Sequence, residues 1–256
     1  VLVLMFTSQG DAKIDPETAV GIWLFDDGSG NIAEDSSGKG NDGKIEKGPK
    51  WVDGKFGKAL EFDGKDDYVY VSDPGKSSLD LTKSLTIMAW IKPVQHPQGN
   101  VIVNKRAPVA PCNYTLRLAD GTNGEFDFWY NSGSWQGYTT TTGAMVKDGT
   151  WYHIASTYTS GEGENVKVYV NGKEVEGKWT AGDGKGELVA NDEDFNIGGR
   201  DYQGTRWFEG LIDEVAIFEV VLTKADIMDI MKEGLFQAAL AVSPTGKLTT
   251  SWGGLK

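Results

Sequence analysis

A chain of 256 residues with a formal charge of −12 and a pI near 4.7 is badly matched to nucleic-acid phosphates and to anionic membrane surfaces, since both require clustered Lys and Arg. Its 39% hydrophobic and 11% aromatic content supplies one sizeable core, and 34 Gly with 8 Pro interrupt it too often for long helices. The single cysteine, Cys112, excludes an internal disulfide and a cysteine-based zinc site, and reads as a small, partly buried residue.

The apolar run from Val1 to Phe6 is too short to span a bilayer. With the small and polar residues behind it, it reads as the tail of a secretion signal, or else as a disordered or strand-forming terminus. We therefore expect an N-terminal segment over residues 1–13, one domain over 14–236 and a tail over 237–256. Residues 19–25 form the first predicted core strand. Behind it, residues 26–43 are dense in Asp, Asn, Ser and Gly, which makes them either solvated turn chemistry or a hard-cation site.

Short strands follow at 58–62 and 67–71, then a longer one at 84–91 that Pro93 stops. An irregular, proline-punctuated region surrounds a strand at 100–105. Further strands are predicted at 114–118, 125–130, 135–142, 151–158 and 165–170. Asn171-Gly172 is a two-residue hairpin signal leading to 173–176. A strand at 195–198 leads through a loop holding Arg200, Tyr202 and Arg206 to Trp207.

The strand at 210–218 is apolar on both faces, so it should be covered on both sides. Simple alternation sends its adjacent acids, Asp213 and Glu214, to opposite faces. A buried carboxylate there must meet a cation, a basic partner or an array of N–H donors. One helix is credible: Thr223 and Asp226 form a capping box, Ile227, Ile230, Met231 and Leu235 an apolar stripe, and Gly234 the end. The tail contains a short β-like run at 247–252. About a dozen strands and one helix make an all-β, two-sheet fold.

Several stretches, in this order, resemble bacterial secreted laminin G-like domains. They are Trp23-Leu-Phe-Asp-Asp-Gly-Ser-Gly, Gly57-Lys-Ala-Leu-Glu-Phe-Asp-Gly, Leu85-Thr-Ile-Met-Ala-Trp, Trp151-Tyr-His-Ile-Ala, Asn196-Ile-Gly-Gly and Phe208-Glu-Gly-Leu-Ile-Asp-Glu-Val. The resemblance implies a concanavalin A-like jelly-roll β-sandwich of two antiparallel sheets, with the N- and C-terminal strands side by side. Relatives of this fold often hold a structural calcium ion. Carried onto this chain, its ligands would be Asp213, Gly64 or a neighbour, and Asp26 or Asp27.

The fold also hosts glycoside hydrolases, which need two carboxyl groups across the scissile bond. Glu125 and Asp127 share a face, but Trp129 or Tyr130 stands where the second Glu belongs, so no chemistry is expected. His153 has no metal-ligating neighbour and packs within a sheet. Binding is the better expectation, because sugar rings stack on aromatic faces while amides and charges read their hydroxyls. Two stretches supply such groups: Trp129, Tyr130, Asn131, Trp135 and Tyr138, and the loop with Arg200, Tyr202 and Trp207. The expected partner is a polysaccharide or cell-surface glycan outside the cell; a protein-binding adhesion module is the alternative.

Overall fold

The computed structural model describes residues 14–73, 75, 77–94, 100–106, 112–120, 124–141, 149–199 and 206–240. Among these residues seventeen strands appear in chain order. The first six are β1 (Ala19–Trp23), β2 (Ile32–Ala33), β3 (Gly43–Glu46), β4 (Lys50–Asp53), β5 (Lys58–Asp63) and β6 (Tyr68–Val71). The middle six are β7 (Ser84–Pro93), β8 (Val101–Arg106), β9 (Cys112–Leu118), β10 (Phe126–Asn131), β11 (Trp135–Thr140) and β12 (Tyr152–Thr159). The last five are β13 (Lys167–Val170), β14 (Lys173–Val175), β15 (Gly177–Ala181), β16 (Phe195–Ile197) and β17 (Glu209–Phe218), followed by helix α1 (Lys224–Glu233). All pairings are antiparallel, and they form two sheets. Sheet A runs β14-β13-β12-β7-β17-β5-β4 with β1 also on β17; sheet B runs β15-β11-β10-β9-β8-β16-β6-β3-β2.

The core between the sheets follows from period-two alternation. Leu85, Ile87, Ala89 and Ile91 of β7 point into it, as do Phe126, Phe128 and Tyr130 of β10. A second apolar cluster lies on the other side of sheet A. There Met88, Ala155, Ala216 and Phe218 are covered by Ile227 and Ile230 of α1. This explains why β17 is apolar on both faces. Helix α1 starts with the predicted capping box, Thr223 Oγ1 accepting Asp226 N and Asp226 Oδ2 accepting Thr223 N at 2.9 Å. Asn171 and Gly172 both take positive φ, as a two-residue hairpin turn requires.

The acidic loop behind β1 is turn chemistry. Asp35 Oδ1 accepts Ile22 N and Ser37 N, both at 2.9 Å, and Asp35 Oδ2 accepts Asn41 N at 2.9 Å. The carboxylate thus ties the loop to β1, and β2 forms within a segment predicted to be wholly irregular.

Strand β17 departs from simple alternation. On one edge it pairs with β5 through residue 212 and with β1 from residue 215, while its pairing with β7 shifts register between Asp213 and Ala216. Glu214 takes a φ of +49° inside this bulge. Ile212 and Val215 therefore both face the inter-sheet core, and Asp213 and Glu214 both turn to the outer side of sheet A. The expectation that these acids face opposite ways is corrected by one inserted residue.

Candidate functional site

The predicted calcium ligands are brought together only in part: Asp26 and Asp213 both accept amides of the turn at 55–58, and Gly64 does not join them. β1 does lie beside β17, with Trp23 opposite Val215, so the end of β1 approaches Asp213. Asp26 Oδ1 accepts Lys58 N at 2.8 Å, and a side chain at Gly57 would collide with that carboxylate. Asp27, however, sits by the Glu34 backbone. Gly64 lies in the β5–β6 turn against Glu209, whereas β17 runs four further residues to Asp213.

Asp213 is fully buried and has already found an array of N–H donors: its Oδ2 accepts Lys55 N at 2.7 Å and Phe56 N at 3.0 Å. Its Oδ1 has no hydrogen-bond partner. Burial, aided by neighbouring Glu214, pushes its pKa up to about 8, and burial pushes Glu214 up to about 7. Glu214 Oε2 accepts Leu235 N, anchoring the end of α1. These carboxyls hold loops by hydrogen bonds. As a set, the four predicted residues do not fit a calcium ion. Among the described residues, one trio of acids has ligand spacing, Asp63, Asp66 and Asp67 around the β5–β6 turn, and Asp63 and Asp66 are exposed.

His153 stands beside Trp90 on the outer side of sheet A, the rings 5.4 Å apart, and burial drops its pKa to about 3. It is a neutral packed side chain. Cys112 is buried, and burial raises its thiol pKa to about 11, so it is inert.

The outer face of sheet B is built differently. Alternation along β10 divides the predicted aromatic cluster: Trp129 and Asn131 point outward, while Tyr130 is 0% exposed in the core. Tyr130 Oη lies 2.6 Å from Tyr158 Oη and donates to Gly186 O at 2.8 Å. Tyr138, opposite Phe128, packs on the core beside Trp179. Both tyrosines are therefore removed from the binding set. Trp135 stays on the outer face with Trp129, their rings 6.3 Å apart and edge to face. Trp129 lies flat over Gly137, where a Cβ would come within 2.6 Å of the indole, so only glycine admits it.

Residues not singled out from the sequence complete this face. Register places Gly137, Trp129, Thr115, Asn104, Asn196 and Tyr70 in one transverse row across six strands. Asn196 Nδ2 donates to Asn104 Oδ1 at 3.2 Å, and Asn196 Oδ1, although buried, has no partner. One row along, Arg117 Nη2 donates to Asp127 Oδ2 at 2.9 Å and Thr139 Oγ1 to Asp127 Oδ1 at 2.6 Å. Guanidinium groups stack on both indoles: Arg106 lies 5.0 Å from the Trp135 ring and Arg117 5.6 Å from Trp129. Trp207 meets Tyr68 at 6.0 Å, and Tyr68 in turn meets Tyr70, which places it at the opposite end of the same face. Arg200 and Tyr202 lie outside the described residues. Alternation could have separated Trp129 from Tyr130; the asparagine pair could not be found locally, because its members are 92 residues apart.

Two antiparallel sheets packed face to face, with the first strand against the last, define a jelly-roll β-sandwich. The chain belongs to the concanavalin A-like lectin/glucanases superfamily, whose laminin G-type model matches residues 63–228. Among curated proteins none matches it in sequence. Of solved structures, it is similar to domain 4 of AbnA, a GH43 extracellular arabinanase from Geobacillus stearothermophilus, in complex with arabinotriose. That likeness has 25% identity and a TM-score of 0.64 over 84% of this chain and 98% of that one. The binding domain of Paraclostridial Mosquitocidal Protein 1 is similar at 15% identity and a TM-score of 0.64, over 84% of this chain and 52% of that one. The sialidase of Trypanosoma rangeli shares the fold at 15% identity and a TM-score of 0.60, over 86% of this chain and 33% of that one. Among the described residues no helix is long and apolar enough to cross a membrane.

Proposed function

We propose that this domain is a non-catalytic extracellular module that binds a carbohydrate on the outer face of sheet B. The observation that carries the reading is the transverse row, in which a buried, hydrogen-bonded asparagine pair is flanked by Trp129 on one side and Tyr70 on the other. Aromatic faces supply the apolar contact a sugar ring seeks, and amides exchange donors and acceptors with its hydroxyls. Asn196 Oδ1 is a buried acceptor without a partner, which marks a polar position beneath this face. The likeness to an arabinanase domain carrying arabinotriose supports the same class of ligand.

The non-catalytic reading rests on Asp127. That carboxylate is held by Arg117 and Thr139, so it is not poised as a nucleophile or a proton donor. Calcium enters the reading only as a question for the Asp213 loop, away from the sugar face.

Affinity electrophoresis of the native protein through plant, algal and bacterial polysaccharides tests the proposal. Retardation by one of them, lost in Trp135→Ala with the melting temperature retained, is the expected result. Release of sugars during the run would overturn the non-catalytic reading, and the absence of any retardation would overturn the carbohydrate reading.

A further inference from the structure

Arginine is rare in this chain: four of the 25 basic residues are Arg and the rest Lys. The three arginines among the described residues, Arg106, Arg117 and Arg206, gather at the outer face of sheet B. Arg106 and Arg117 bracket the indole pair, giving a continuous stack of guanidinium, Trp135, Trp129 and guanidinium. Arg117 then reaches Asp120 Oδ2 through Nη1 at 3.1 Å, and Arg206 reaches the same oxygen through Nη2 at 2.7 Å. A carboxylate thus already sits in a fork between two guanidinium groups. It is open to solvent, for the Asp120 side chain is 43% exposed.

Arginine differs from lysine in presenting a flat fork of N–H donors that matches the two oxygens of a carboxylate or sulfate, even while its face rests on an aromatic ring. On a chain of charge −12, a polyanion is repelled nearly everywhere. Concentrating the arginines beside the tryptophan pair gives such a ligand one place to dock.

We infer that the carbohydrate bound here is acidic, a glycan bearing carboxylate or sulfate groups, with its charged substituent taken by the arginines and a neighbouring ring by Trp135. The inference rests on the carbohydrate reading above. Asp120 is the internal stand-in for that substituent, holding the Arg117–Arg206 fork until the ligand's anion displaces it.

The test uses polymer pairs that differ only in charge: polygalacturonate with its carboxyl-reduced form, and a sulfated galactan with its desulfated form. Retardation by a charged member should fall at least about tenfold in its neutral counterpart, as expected for a charge-assisted hydrogen bond. Whichever pair shows the difference identifies carboxylate or sulfate. Arg106→Gln should weaken binding with the melting temperature unchanged. Asp120→Ala removes no arginine and should strengthen binding severalfold by removing the competing carboxylate. Equal retardation by charged and neutral members overturns the acidic assignment while leaving the carbohydrate reading standing. A failure of every polymer to bind overturns both. Weaker binding in Asp120→Ala overturns the role given to Asp120.

Discussion

Lys105 and Asp73 form an ion pair of 2.5 Å in which neither side chain meets solvent beyond 2%. The ammonium also reaches Asp80 Oδ1 at 3.0 Å, Asn191 O at 2.9 Å and Glu193 O at 2.7 Å. One tethered cation thereby joins the crossover between β6 and β7 to the segment before β16. The surrounding oxygens are satisfied only while the charge is present. Removing one partner of such a buried cluster leaves the others uncompensated.

Lys105→Met should therefore destabilise the domain by about 3–5 kcal/mol, read from urea denaturation. The double variant with Asp73→Asn should recover part of that loss. A change below about 1 kcal/mol in the single variant would show that the cluster is not a clamp.

The raised pKa of Asp213 makes a signed prediction. A carboxyl whose folded pKa lies near 8 instead of 3.8 favours the fold in its neutral form, so its contribution is present at low pH and lost as pH rises through 8. Asp213→Asn keeps an acceptor for Lys55 N and Phe56 N without the charge. Its melting temperature should exceed that of the parent at pH 8 and converge with it near pH 4. His153, with its folded pKa near 3, costs stability as pH falls below about 6.5, so the two proteins are compared at each pH.

The same pair of proteins decides the calcium question. Because Asp213 Oδ2 is occupied by backbone donors, we expect melting temperatures at pH 8 to be the same in calcium and in chelator. A calcium-dependent rise in the parent, absent from Asp213→Asn, would restore the metal to this loop.

Trp135 and Tyr130 lie five residues apart and should behave oppositely. Trp135 is half-buried on the outer face, so Trp135→Ala should leave the melt nearly unchanged and abolish retardation by the polysaccharide. Tyr130→Phe removes a hydroxyl held by Tyr158 and Gly186 and should cost about 1–3 kcal/mol of stability with binding intact. Unfolding of Trp135→Ala would assign that indole to the core.

Much of the architecture was legible along the chain. Period-two runs announced most strands, Asn171-Gly172 a hairpin and Thr223 with Asp226 a helix start, because each signal lies within a few residues and local backbone chemistry enforces it. The two-sided burial of β17 was equally visible in its composition. Three things were decided only by the tertiary structure. The bulge that turns Asp213 and Glu214 to one side arises where β5 gives way to β1 as the neighbour of β17, without a glycine or proline at Asp213–Ala216 to announce it. Which face of β10 is solvent-facing depends on the opposing sheet, and that choice kept Trp129 and withdrew Tyr130. The row from Trp129 to Tyr70 exists only through cross-strand registers between residues far apart in sequence. Alternation is a property of neighbours; register and coverage are set by the sum of long-range contacts, and the candidate site is made of the second kind.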